Sequence, residues 1–133
     1  MDTFAAFNVS ASALVAQRQR MNSIASNVAN MHTTKTKEGG PYKRQDVVFE
    51  VLPIEAQSEG VQVSQVIRDE NEPTKIYNPN HPDADTDGYV SMPNVNVVEE
   101  MVNMMMAQRA YEANISAFNI SKGMFLKTLE IGR

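Results

Sequence analysis

The chain has neither cysteine nor tryptophan among its 133 residues. Without cysteine there is no disulfide framework and no thiol chemistry. Its two histidines, His32 and His81, are far apart and in no metal-ligand spacing, so each reads as a surface residue, one at a helix end and one in a loop. No run approaches the ~18 apolar residues needed to cross a bilayer. The opening MDTFAAFNVSASALVAQ has neither a positively charged start nor a long apolar stretch, so no cleaved secretory signal is expected. The charge is mild, 12 Lys and Arg against 16 Asp and Glu, which gives no basic footprint for nucleic acid and no polybasic membrane anchor. Nucleophile motifs, P-loops and dinucleotide fingerprints are all missing. The acidic pairs Glu99-Glu100 and Asp69-Glu70 read as a helix start and a loop, and Tyr42-Lys43-Arg44 as a solvated turn. The expectation is a protein that is not an enzyme and has no cofactor, metal or small-molecule substrate.

One stretch tests that expectation. DADTDG places Asp83, Asp85, Asp87 and Gly88 at positions 1, 3, 5 and 6 of a calcium loop. Position 12 falls on Asn94, which has no carboxylate, and Pro79, Pro82 and Pro93 break both flanking helices. The loop is therefore expected to bond its own backbone, with Gly88 turning the chain into a short strand.

All six prolines lie between Pro41 and Pro93, which leaves two proline-free ends around a punctuated centre. In the first end, steps of 3 and 4 pass through Phe4, Phe7, Ala11, Leu14, Arg18, Met21, Ala25 and Val28, predicting a helix over roughly residues 3–31. In the second, they pass through Val97, Met101, Met104, Gln108, Tyr111, Ile115, Phe118, Lys122, Phe125 and Leu129, predicting a helix over 97–131. Asn96 and Glu99 make a capping box at its start. Between the helices, VVFEVL and VQVSQVI read as strands, the second changing phase midway; residues 75–77 and 88–90 could add edge strands.

A compact domain of this length would be ~36 Å across. The helices would be ~43 and ~50 Å long, so they overshoot it. The expected fold is mainly α with a small β insertion. Its long terminal helices pair as an elongated antiparallel coiled coil, and the β module hangs from their joined ends. The corresponding segments are residues 1–33, 34–94 and 95–133. Val98, Met105, Met106, Met124 and Leu126 lie off the main seam, which suits contacts with neighbouring copies.

Residues 23–43, SIASNVANMHTTKTKEGGPYK, resemble the N-terminal signature of bacterial flagellar rod and hook axial proteins: a helix with spaced Asn, then Thr, then a turn with Gly and Tyr. The run NVNVVEEMVNMMMAQRAYEANISAFNISKGMFLKTL is similar to the matching C-terminal signature. The short chain and the segment NPNHPDADTDGYVSMPNVNVVEEM point to a proximal-rod member, which makes the aspartate loop a connector into the second helix.

This resemblance implies a structural subunit in the periplasmic rod of the flagellar basal body, exported by the flagellar type III apparatus without a cleaved signal. It would polymerise through its terminal helices into a torque-transmitting tube that lets export substrates pass. Implied partners are further copies, other rod proteins, the rod–export-gate adaptor and the export apparatus, with no nucleic acid and no direct membrane insertion. The implied assembly surface is Leu14, Met21, Ile24, Asn27, Val28 and Asn30 on the first helix. On the second it is Met101, Met105, Gln108, Arg109, Tyr111, Asn114, Ile115, Phe118 and Leu129. The competing expectation is a helical binding module, an adaptor or export chaperone, that grips one partner helix in a Met-lined groove.

Overall fold

The computed structural model describes residues 3–133. The elements run α1 (Thr3–Ala29), β1 (Gln45–Glu55), β2 (Ser58–Arg68), β3 (Thr74–Tyr77), β4 (Tyr89–Met92) and α2 (Val97–Ile131). Mainly helical content with a small β part between the helices is thus what the chain has.

The start of α2 is fixed locally. Asn96 has an extended backbone, and its side-chain oxygen accepts from the Val98 and Glu99 N–H groups. Those are donors that a helix start leaves free. Glu99 and Glu100 occupy the first turn, the positive end of the helix dipole.

The two helices meet along their length. Phe4 packs edge-on against Phe125 and Phe7 against Phe118, with ring centroids 5.3 and 5.1 Å apart. At the other end Asn27 meets Glu100. On α2 the residues turned inward are Phe118 and Phe125 of the predicted series together with Glu100, Ala107 and Asn114, which lie off it. Small or polar side chains sit at the closest approach, and Met101, Ile115 and Leu129 face outward.

The β1–β2 hairpin departs from expectation. Its strands are eleven residues each, and it lies along α1 instead of hanging from the helix ends. Its root is bonded to Asn27, and nearer its tip the Val61 N–H donates to the Ser12 hydroxyl at 3.1 Å. Gly60 makes this possible, because a Cβ there would lie 2.5 Å from the Ser12 oxygen and 2.7 Å from Ile54 Cδ1. α1 is therefore covered on two sides, by α2 and by the hairpin. That explains why its buried residues include Ala5, Ser10, Ala16 and Ser23, while Phe4 and Arg18 of the predicted seam are exposed. A middle helix needs small side chains to let two neighbours close in.

The change of phase in VQVSQVI is a β-bulge. Val48 pairs with Gln65 and Phe49 with Val63, leaving Ser64 unpaired, and its hydroxyl donates to the Val48 carbonyl at 3.2 Å. β3 and β4 do not extend this sheet. They form a separate two-stranded ribbon, with Tyr77 packed against Tyr89. Gly88 enters that ribbon at φ +85°, where a side chain is disfavoured.

Candidate assembly interface

Two features of the helix pair bear on function: a polar junction inside and exposed apolar clusters outside. The junction joins α1, the root of the hairpin and the first turn of α2. Asn27 is wholly buried, and its amide is fully used. Its nitrogen donates to the Gln45 carbonyl at 2.8 Å and to Glu100 Oε2 at 3.2 Å. Its oxygen accepts from the Gln45 N–H at 2.8 Å and from the Tyr42 hydroxyl at 2.9 Å. Glu100, 1% exposed, pairs through its other oxygen with Arg44 Nε. Arg44 also reaches Asp46 at 3.4 Å. Burial pulls the Arg44 guanidinium down, but the hydrogen bond and charge of Glu100, with Asp46 adding, hold it above its ordinary value.

Sequence reading misses this junction, taking Glu100 for a helix-dipole residue and Tyr42-Lys43-Arg44 for a solvated turn. The signal is present in the helical phase. Glu100 is in step with Ala107 and Asn114, both on the side that meets α1.

Tyr42 gives the junction a pH dependence. Burial pushes its phenol above the ordinary 10.0, Glu100 adds to this, and Arg68 and Arg44 oppose it. The folded state thus favours the neutral form. This contribution is complete below pH ~10 and is lost as pH rises through the native value. Tyr42→Phe removes the hydrogen bond to Asn27 and is expected to cost about 1 kcal/mol at pH 7 in urea unfolding. The deficit should narrow above pH ~10, where the parent alone loses the phenol contribution. A deficit constant up to pH ~11 would contradict this account.

The aspartate loop is also self-bonded. Asp85 Oδ1 accepts from the Asp87 and Tyr89 N–H groups, both at 2.9 Å. Asp83 accepts from the Thr34 hydroxyl at 2.7 Å, tying the loop to the chain just beyond α1.

Outside, α2 carries exposed apolar side chains toward both of its ends. Val98 (71% exposed), Met101, Val102, Met105 and Met106 cluster near its start, and Ile120, Met124, Leu126, Leu129 and Ile131 (84% exposed) near its end. Gln108, Arg109, Glu112 and Ser116 lie between as an exposed polar belt. Among the described residues no helix is long and apolar enough to cross a membrane.

The fifteen residues proposed from the sequence fall into three groups. Ile24 and Asn27 are buried within the chain, and Phe118 packs on Phe7. Leu14, Met21, Val28, Asn30, Tyr111 and Asn114 are half-buried. Asn114 donates to the Ala110 carbonyl of its own helix at 2.7 Å. Met101, Met105, Gln108, Arg109, Ile115 and Leu129 face outward and are free to meet another chain.

A helix pair closed inside by a buried ion pair, with apolar clusters exposed on one helix, belongs to the class of structural subunits that pack against other chains. Comparison with known proteins places it within that class. The family "Flagella basal body rod protein" matches residues 7–35, and "Flagellar basal body rod FlgEFG protein C-terminal" matches residues 86–131. The flagellar basal-body rod protein FlgC of Salmonella typhimurium is 46% identical over 128 residues, covering 96% of both chains. That of Bacillus subtilis is 41% identical over 150 residues, covering all of both. That of Aquifex aeolicus is 44% identical, covering 98% of this chain and 97% of its own. The chain belongs to the FlgC family of flagellar basal-body rod proteins.

Proposed function

We propose that the chain is a structural, non-enzymatic subunit of the proximal rod of the bacterial flagellar basal body. One observation carries the reading: a chain that matches FlgC proteins over nearly its whole length leaves two clusters of apolar side chains exposed on α2. Two clusters of exposed apolar side chains on one helix suit contact with other chains.

In this reading α1 and α2 form an antiparallel coiled coil that packs against neighbouring subunits in a torque-transmitting tube. Residues 1–33 and 95–133 make the inner layer, and residues 34–94 lie further out. The outward residues Met101, Met105, Gln108, Arg109, Ile115 and Leu129 supply contacts between subunits. Ile24, Asn27 and Phe118 shape the subunit that presents them. The partners are further copies, other rod proteins, the rod–export-gate adaptor and the type III export apparatus, which delivers the chain to the periplasm.

The test is sedimentation of the purified chain mixed with the other proximal-rod subunits over a range of concentrations. The expected result is a cooperative rise to large assemblies. A complex of fixed small stoichiometry at every concentration would instead support the adaptor or chaperone reading.

A further inference from the structure

With no cysteine in the chain, its nine methionines hold all of its sulfur, and Met1 lies outside the described residues. The remaining methionines divide by exposure. Met21, Met31, Met92 and Met104 are half-buried. Met101, Met105, Met106 and Met124 are between 55 and 61% exposed. These four all lie on α2, within its two apolar clusters. Met101 and Met105, four residues apart, share one row of the helix, and Met106 adjoins them. A thioether is oxidised where an oxidant can reach it, and the sulfoxide is polar where methionine is apolar.

We propose that Met101, Met105, Met106 and Met124 form an oxidation site of the free chain, through which a peroxide makes the exposed clusters of α2 polar and keeps the chain out of assemblies. The oxidant is hydrogen peroxide. The thioether sulfur attacks one peroxide oxygen, so an S–O bond forms as the O–O bond breaks. The proton on the transferred oxygen passes to the departing hydroxide, which leaves as water. The sulfur is oxidised by two electrons and the peroxide is reduced.

The fold is spared, because exposed side chains carry little of the subunit's own packing. A contact with another chain is not spared. A sulfoxide oxygen taken out of water without a donor carries the cost of any buried unpaired acceptor. This effect on association rests on the rod reading, whereas the pattern of oxidation does not. Once another chain covers α2 the same sulfurs are shielded, so the site acts before incorporation.

The test treats the purified chain with hydrogen peroxide and follows each methionine by peptide mass spectrometry. Met101, Met105, Met106 and Met124 are expected to gain oxygen at least about fivefold faster than Met21, Met31, Met92 and Met104. The urea midpoint of the oxidised chain should match that of the parent. Sedimentation with the other proximal-rod subunits should show association weakened at least about tenfold. Methionine sulfoxide reductases acting on both sulfoxide epimers, with dithiothreitol, should restore it. The fourfold variant Met101→Leu, Met105→Leu, Met106→Leu and Met124→Leu keeps the surface apolar and should assemble equally with and without peroxide. Equal oxidation rates at the exposed and half-buried methionines would overturn the site. Undiminished assembly of the oxidised chain, or an equal loss in the leucine variant, would overturn its effect on association. Should the untreated chain never assemble with the other rod subunits, the rod reading falls and the effect falls with it, while the peptide map still decides the site.

Discussion

Arg44→Ala is expected to lower folding stability by about 3–5 kcal/mol. The reason is asymmetry of exposure. Arg44 keeps 23% of its side chain in contact with solvent, whereas Glu100 keeps 1%. Removing the guanidinium strands a carboxylate that has only the Asn27 amide left beside it. Stranding a buried charge costs far more than the pair contributes relative to an apolar substitute. With a urea m-value of roughly 2 kcal/mol/M, the midpoint should fall by ~2 M. Replacing both members, as Arg44→Met with Glu100→Leu, should recover most of the loss, because no charge remains to be stranded. A loss below ~1 kcal/mol for Arg44→Ala would mean that water reaches Glu100 and that the junction is not dry.

Met101→Lys is expected to separate assembly from folding. Met101 is exposed in the free chain, so its replacement should change urea stability by no more than ~0.5 kcal/mol. In an assembly the same position would be covered. Losing a buried methionine side chain costs ~2 kcal/mol, and burying an unpaired ammonium adds more. At about 1.4 kcal/mol per tenfold, association should weaken at least ~100-fold. Sedimentation with the other rod subunits reads the association, and urea unfolding of the same sample reads the fold. Full assembly of the variant would remove this side of α2 from the interface. A large drop in stability would show that Met101 serves the subunit's own packing.

The helices are readable from sequence because their signals are local. Asn96 caps α2, no proline interrupts either end, and the predicted 97–131 coincides with Val97–Ile131. The bulge at Ser64 is visible as a change of phase in VQVSQVI. The length and placement of the hairpin are not visible. β1 contains Pro53, which blurs its end, and its docking depends on Gly60 meeting Ser12 far away in sequence. The junction is hidden for the same reason. Asn27, Arg44 and Glu100 are neighbours in space only, and each has an ordinary local role that accounts for it equally well. Which members of the motif face inward is not legible, because the inner and outer sides of α2 share the same 3-and-4 spacing.

The Asn27 side chain has one more consequence. It exchanges two hydrogen bonds with the Gln45 peptide, both 2.8 Å, in the manner of a strand lying alongside β1. A two-stranded hairpin has open edges on which other strands can add without limit. At Gln45 that edge is already occupied by a helix. The first residue of β1 is thereby closed to pairing with a strand of another chain.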